Sequence, residues 1–236
     1  MRRSAFIFTI ILTMMTVLVF SPLMLGAQEE DVKNLQVGIQ TAGKLIADIP
    51  ITHFEDADTW NAVMSVDQGI IQSMKRSGRP MGVSEIDPSD GTKNEYVLGV
   101  KVSFNQRTYA KFTITPGRPI KIPGITKAIT VWVCGRSFRH RLYANILDYK
   151  GSEMFLDMGT LDFAGWKQVS VVVPSSIEQH NYHNPDWRGI SLTGFTVRTD
   201  PEESYGTYYL YFDELRAITD IYSEEHRDED DMEDGW

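Results

Sequence analysis

The chain has 236 residues, 42% of them hydrophobic, and it carries 23 basic against 32 acidic side chains for a formal net charge of −9. This balance disfavours nucleic-acid binding, which requires a basic surface for the phosphates. Cys134 is the single cysteine, which excludes an intramolecular disulfide. Stability must therefore come from a hydrophobic core.

The first 27 residues have the order of a secretory signal peptide. Arg2 and Arg3 precede a long apolar run, and the small residues Gly26 and Ala27 occupy the position where a signal peptidase cleaves. The alternative is an uncleaved membrane anchor, since a spanning helix needs about 20 apolar residues. We expect cleavage after Ala27 and export to the periplasm, with no membrane contact afterwards.

The next part of the chain predicts an N-terminal extension, from residue 28, followed by short strands. Leu45–Ile51 and the region around Val63 are predicted strands, and Lys75–Pro80 is predicted to be a basic loop. Tyr96–Phe104 alternates between apolar and polar or small residues, which is typical of a half-buried strand.

The centre of the chain is the part most clearly patterned for β-structure. Ala128–Cys134 has apolar residues on both faces, which indicates a central strand covered on both sides. Leu142–Leu147 is predicted to be its neighbouring strand. Trp166–Val173 is a third strand, ended by Pro174 because proline cannot donate to a sheet ladder.

Three side chains in these strands are predicted to lie in the core. Trp132 and Trp166 stand in apolar strands, where packing inside the protein is the common outcome for a large aromatic side chain. Cys134 is flanked by the same apolar residues and is predicted to act as a small buried hydrophobe rather than as a reactive thiol.

The C-terminal third predicts two more strands and then an acidic tail. Ile190–Thr199 and Thr207–Ala217 complete about eight or nine strands with no long helix, which predicts an all-β, antiparallel two-sheet β-sandwich. Glu224–Trp236 contains eight acids against Arg227 alone and is predicted to be disordered. The predicted boundaries are therefore 1–27 for the signal peptide, 28–222 for the sandwich with its extension, and 223–236 for the tail.

Enzyme chemistry has little support in the sequence. No Gly-x-Ser-x-Gly nucleophile motif occurs. His180 and His183 have a spacing seen in metal-binding loops, but no cysteine or second histidine pair accompanies them, so a zinc site is weakly supported. We expect no catalytic residue, no metal and no cofactor.

Candidate contact residues lie in two stretches of the chain. One is the loop that carries Tyr182, His183 and Trp187, because exposed Tyr and Trp are favoured anchors at protein interfaces. The alternative for Trp187 is that it closes one end of the sandwich. The other stretch is basic and could contact an acidic partner. Its arginines are Arg136, Arg139 and Arg141.

A set of ordered motifs resembles the outer-layer (sheath) proteins of spirochaete periplasmic flagella, the FlaA family. The motifs are Pro119–Ile125, Val131–Arg136, Asp148–Gly151, Gly165–Lys167 and Tyr211–Ala217. The resemblance implies an exported, non-enzymatic structural subunit of the filament sheath that contributes to filament shape and cell motility. Its partners would be the flagellin core filament and other sheath proteins, with self-association or hetero-assembly in the sheath.

The same chain also resembles jelly-roll, galactose-binding and carbohydrate-binding modules, which leaves a periplasmic carbohydrate-binding module as the alternative function. The resemblance rests on Phe54–Asp56, Gly165–Lys167 and Tyr211–Asp213. In such modules an N-terminal acid and the last-strand Asp often share a structural calcium, and the matching pair here is Glu55 and Asp213. Two carboxylates with backbone carbonyls would suit this hard cation. The alternative is that both are solvated acids at strand ends.

Overall fold

The computed structural model describes residues 45–181 and 184–221, and for residues 181 and 184–188 it describes the backbone alone. The predicted signal peptide, the extension before residue 45 and the predicted acidic tail lie outside the described residues. The proposed domain boundaries therefore stay predictions.

The described residues are almost entirely β-structure. A short 3-10 turn, Ala57–Thr59, is the one helical element among them, and no helix in these two ranges is long and apolar enough to cross a membrane. The strands are β1 Ile46–Thr52, β2 Asn61–Met64, β3 Gly69–Ser77, β4 Tyr96–Phe104, β5 Lys111–Thr115, β6 Ile120–Ile122, β7 Ile125–Arg136, β8 Arg141–Leu147, β9 Glu153–Thr160, β10 Ala164–Val172, β11 His180–Asn181, β12 Asn184–Arg188, β13 Ile190–Arg198 and β14 Thr207–Asp220.

These strands form two antiparallel sheets of six strands each. The first sheet has the order β10-β7-β14-β4-β3, and β1 also pairs with β14. The second sheet has the order β2-β5-β13-β8-β9, and β6 also pairs with β13. A separate two-stranded ribbon is formed by β11 and β12. The predicted all-β, two-sheet antiparallel sandwich is therefore confirmed.

Strand β14 connects three other strands of the first sheet. One edge pairs with β7, while the other edge pairs first with β4 and then with β1. The pairing with β4 ends at Phe212 and the pairing with β1 begins at Leu215. Between them the backbone bulges, and Glu214 takes a positive φ of 45°. The strand thus leaves a gap where Asp213 and Glu214 lie beside residues that follow β1.

The core is a single layer of apolar side chains between the two sheets. Val131 and Val133 of β7 and Phe112 of β5 are fully buried, as the alternating pattern predicts. Two fully buried aromatic rings, Phe195 of β13 and Phe212 of β14, stack with centroids 5.1 Å apart and join the sheets directly. Contacts between facing inner sides thus hold the sandwich together.

Two local predictions are wrong. The strands predicted at Ala128–Cys134 and Leu142–Leu147 are not neighbours, because β7 belongs to the first sheet and β8 to the second. Lys75, Arg76 and Ser77 are the end of strand β3 rather than part of a loop. Alternation along one strand identifies a buried face, but it does not say which sheet the strand joins.

The prediction that Trp132 and Trp166 lie in the core is also wrong. Both side chains are half-buried and stand on the outer face of the first sheet, whereas Val131 and Val133 point inwards. Trp60, which follows the 3-10 turn, is instead a core tryptophan at 2% exposure. Cys134 is buried, as predicted, although it shares the outer face with Trp132.

We predict that two tryptophan substitutions differ in their cost to stability. Trp60→Ala should lower the free energy of unfolding by about 3–5 kcal/mol, because Trp60 packs against Phe54 and Phe195 in the core. Trp166→Ala should lower it by only roughly 1 kcal/mol, because that side chain lies partly exposed on the outer face of the first sheet. Urea unfolding of the two variants measures both values, and equal losses would contradict this assignment.

Candidate functional site

The three arginines predicted to contact a partner do not form one basic cluster. Arg139 lies 2.8 Å from Glu202 and 3.0 Å from Glu203, and its Nε atom lies 3.5 Å from Asp200. Arg141 lies 3.2 Å from Asp157. Arg136, at the end of β7, has no carboxylate partner within the described chain and lies over the ring of Tyr211 at 5.7 Å.

The aromatic contact loop is only partly described. Tyr182 and His183 lie outside the described residues, and so does the zinc arrangement that would need His183. Trp187 belongs to β12, for which the structure gives the backbone alone. The prediction that this loop contacts a partner stays a prediction.

A second surface, which the sequence did not predict, surrounds Arg136. Five neighbouring strands place a lateral row of residues on the outer face of the first sheet, in the order Trp166, Cys134, Tyr211, Gly99 and Met74. Because side chains alternate along each strand, all of them point away from the core. Gly99 leaves room for the side chains of Arg76 and Tyr211, since a Cβ atom there would lie 3.1 Å from Arg76 Cγ and 3.3 Å from Tyr211 Cε1.

Arginines border this row and make an open, positively charged concavity of about 440 Å³. We call it the basic–aromatic surface and define it by Arg76, Arg79, Arg136, Trp166 and Tyr211. All three arginines are exposed, and within the described chain none of them forms an ion pair. Since no carboxylate lines the concavity in the described residues, its positive charge is not neutralised locally.

The sequence contains only a weak signal for this surface. Arg76 and Arg79 lie about 60 residues before Arg136 and about 90 before Trp166, and only the pairing of β3 with β4, β14 and β7 brings them together. The sequence predicted a loop at Lys75–Pro80, whereas Arg76 belongs to strand β3. Alternation continued through Met74 and Arg76 would have placed both on one face.

A second cluster of charged side chains lies at the bulge of β14. His53 Nδ1 is 2.7 Å from Glu214 Oε1, and His53 Nε2 is 2.9 Å from Asp90 Oδ2. Arg216 bridges Asp87 and Asp48, with its Nε atom 3.1 Å from Asp48 Oδ1. These bonds attach the loop between β3 and β4 to the end of β1 and to β14.

The pKa values of His53 and Asp90 are shifted by the hydrogen bonds and charges within this cluster. Burial alone lowers the pKa of His53, but hydrogen bonds to Glu214 and Asp90 outweigh burial and leave that pKa above its ordinary value. A backbone hydrogen bond from Thr92 and the bond to His53 lower the pKa of Asp90 to about 2. Pairing with each other therefore favours the charged forms of both His53 and Asp90.

The same cluster contains ligand types that suit a metal ion. Ligand atoms of His53, Asp87 and Asp90 lie within 4.8 Å of one another. However, Asp87 already pairs with the guanidinium of Arg216, and both ring nitrogens of His53 are hydrogen-bonded. An internal ion-pair network explains this geometry without a metal.

The two acids that the resemblance to carbohydrate-binding modules suggests as a calcium pair lie close to this cluster. Asp213 is fully buried, so the alternative of a solvated acid is wrong for this residue. Its Oδ1 accepts the N–H of Glu214, while its Oδ2 has no partner in the described chain. Burial, with the nearby charges of Glu214 and Glu55, raises the pKa of Asp213 to about 8.

The oxygen atoms of Glu55 are less available to a cation than those of Asp213. Its Oε1 accepts the backbone N–H groups of Glu95 and Tyr96 at 2.6 and 3.0 Å. Its carbonyl oxygen accepts a hydrogen bond from the ammonium of Lys75 at 2.5 Å. The unpartnered oxygen of Asp213 fits a hard cation. By contrast, Oε1 and the carbonyl oxygen of Glu55 already accept hydrogen bonds within the protein. The calcium pairing stays a hypothesis beside the prediction that no metal is bound.

Comparison with known proteins identifies the family of the chain. The model of the family described as "Flagellar filament outer layer protein Flaa" matches residues 29–228. The chain belongs to the FlaA family. A flagellar filament outer layer-like protein of Brachyspira hyodysenteriae is 40% identical over 186 residues, which cover 79% of this chain and 85% of that protein. A flagellar filament outer layer protein of Spirochaeta aurantia is 27% identical over 111 residues, or 43% of this chain and 32% of that protein.

Solved structures resemble this FlaA-family chain more distantly. A carbohydrate-binding module of the β-sandwich superfamily aligns over 74% of this chain and 62% of its own, with 13% identity and a TM-score of 0.48. The family 11 carbohydrate-binding module of a Clostridium thermocellum cellulase aligns over 74% and 96%, with 10% identity and a TM-score of 0.44. At these values the likeness carries no argument about function.

We predict that Asp213 makes stability depend on pH. The pKa of about 8 in the folded protein exceeds the ordinary value of 3.8, so the stabilising contribution of the proton is complete below pH 3.8 and is lost as pH rises through 8. Asp213→Asn should remove up to about 1.4 kcal/mol of this dependence per pH unit. Urea unfolding at pH 5 and pH 8 measures it, with the exposed Asp162→Asn as control.

The same variants test the calcium prediction. Calcium at millimolar concentration should raise the midpoint of unfolding of the wild-type protein at pH 8 if Asp213 binds it. Asp213→Asn should then show no such rise, while Asp162→Asn should behave like the wild type. An unchanged midpoint in all three proteins would exclude the calcium site.

We also predict that two buried histidines titrate far apart. The imidazole of His53 should titrate above pH 6.5, and Glu214→Gln should lower that midpoint by removing a hydrogen-bonded charge. Burial among Phe104, Phe138 and Tyr208 lowers the pKa of His140 to about 4, so its signal serves as an internal contrast. NMR of the ring protons resolves both, and a His53 midpoint below 6.5 would contradict the assignment.

Proposed function

We propose that this protein is a structural subunit of the sheath of the periplasmic flagellar filament and contributes to filament shape and cell motility. The observation that carries the proposal is the match of the FlaA family to residues 29–228. Its partners would be the flagellin core and other sheath proteins. The predicted signal peptide supports a location in the periplasm.

The geometry of the sandwich supports a role in assembly. A sheath subunit must keep its shape while it contacts several neighbours, and two sheets joined by a continuous core provide a rigid block. Charged clusters at the bulge of β14 are paired internally, so they serve the stability of the fold rather than a reaction. The basic–aromatic surface, by contrast, has charge that is free to meet a partner. We therefore propose a non-enzymatic role.

The experiment that tests the proposal begins with the filaments themselves. Detergent-washed periplasmic flagella should contain this protein, and a deletion strain should have thinner filaments with altered curvature and impaired motility. Electron microscopy measures diameter and shape, and restoring the gene serves as the control. The proposal is falsified if washed filaments lack the protein, or if filaments of the deletion strain keep their diameter and shape.

One observation favours the carbohydrate-binding alternative. Trp166 and Tyr211 both line the open concavity, and partly exposed aromatic side chains are what a sugar-binding platform requires. If this alternative holds, the wild-type protein should retain glycans on an array and Trp166→Ala should lose them while it stays folded. We place this function second because the same surface carries three arginines, which neutral glycans do not require.

A further inference from the structure

We propose that the basic–aromatic surface of one subunit binds the acidic segment Glu224–Asp234 of a second copy of this chain. This inference rests on the proposed sheath function, since it names one contact through which subunits of a layer would join. The inference names a partner for the basic–aromatic surface, because no carboxylate of the described chain lines that surface and neutralises its positive charge.

Charge complementarity is the first argument. The surface presents Arg76, Arg79 and Arg136, none of them ion-paired within the described chain. Residues 224–234 contain eight acids and one arginine. Three other arginines, Arg139, Arg141 and Arg216, already have acids beside them. Because three arginines without an acid beside them line one concavity, an acidic chain would be attracted to this face of the sandwich.

The form of the surface also fits an extended acidic peptide. Arginine binds carboxylates through two parallel hydrogen bonds, and the three arginines lie along the border of one concavity of about 440 Å³. Trp166 and Tyr211 also line it, and their rings can contact the aliphatic parts of a peptide. Tyr, Trp and Arg together are the residue types that contribute most to protein interfaces.

Distance along the chain favours a second copy over the same subunit. Ten residues of strand and strand end separate Tyr211 from Ile221, a length of about 30 Å. An extended chain needs about nine residues to return over that distance. Only the last acids, from about Asp230 onwards, could therefore reach the surface of their own subunit. All eight acids can reach the surface of a neighbouring subunit. Binding between copies therefore brings more negative charges to the arginines than binding within one subunit.

The decisive experiment mixes two complementary variants of the exported protein. The surface variant carries Arg76→Gln and Arg136→Gln, and the segment variant has all eight acids between 224 and 234 replaced by Asn or Gln. The control carries Arg118→Gln and Arg198→Gln. Both of those exposed arginines lie within or beside strands of the second sheet. Thermal unfolding midpoints within a few degrees of the wild type establish that all variants fold.

Sedimentation velocity in 50 mM salt then measures association. The wild type and the control should self-associate, and 500 mM salt should weaken this association at least tenfold, because charged contacts are screened. Each complementary variant alone should associate at least tenfold more weakly. An equimolar mixture of the two should form a one-to-one complex, because an intact surface of one meets an intact segment of the other. Trp166→Ala should associate more weakly than wild type while it stays folded.

Several results would overturn the inference. A wild type that remains monomeric at all concentrations would do so, as would a segment variant that associates like the wild type. A mixture that forms no complex although the wild type associates would show that the segment does not bind between copies. None of these measurements uses filaments, so the inference can fail while the protein is still found in washed flagella, and the reverse also holds.

Discussion

The fold depends above all on the pairing of strand β14 along both of its edges. This strand of 14 residues joins β7 on one side and both β4 and β1 on the other, so it connects the N-terminal and central parts of the chain into one sheet. Its inward side chains, such as Phe212, also reach the second sheet through the stacked contact with Phe195. Disruption of β14 would therefore separate three strand pairs and open the core at the same time.

The gap that β14 leaves between β4 and β1 explains the charged cluster beside it. Because neither strand pairs with Asp213 and Glu214, the backbone bulges and Glu214 turns towards His53, which directly follows β1. The long connection between β3 and β4 then supplies Asp87 and Asp90 to His53 and Arg216. Buried charges are tolerated only when they are paired, and here the pairing also attaches a loop that has few apolar side chains of its own.

The two faces of the first sheet have separate physical roles. Its inner face, with residues such as Val131 and Val133, packs against the second sheet and supplies the core. Its outer face carries Trp166, Tyr211 and unpaired arginines, which do not contribute to that core. A rigid inner layer therefore holds a charged aromatic surface in a fixed geometry. That arrangement suits the structural role that we propose for this FlaA-family chain.

The sequence by itself determined the all-β class, the span of β4, the buried face of β7 and the family, because alternation with period two and ordered local motifs depend only on neighbouring residues. Only the tertiary structure decided that β7 and β8 lie in different sheets, that Trp166 faces outwards, and that Arg76 and Arg136 share a surface. Strand order and register arise from contacts between distant segments. Local alternation gives each strand two faces but does not say which of two partly apolar faces will be covered.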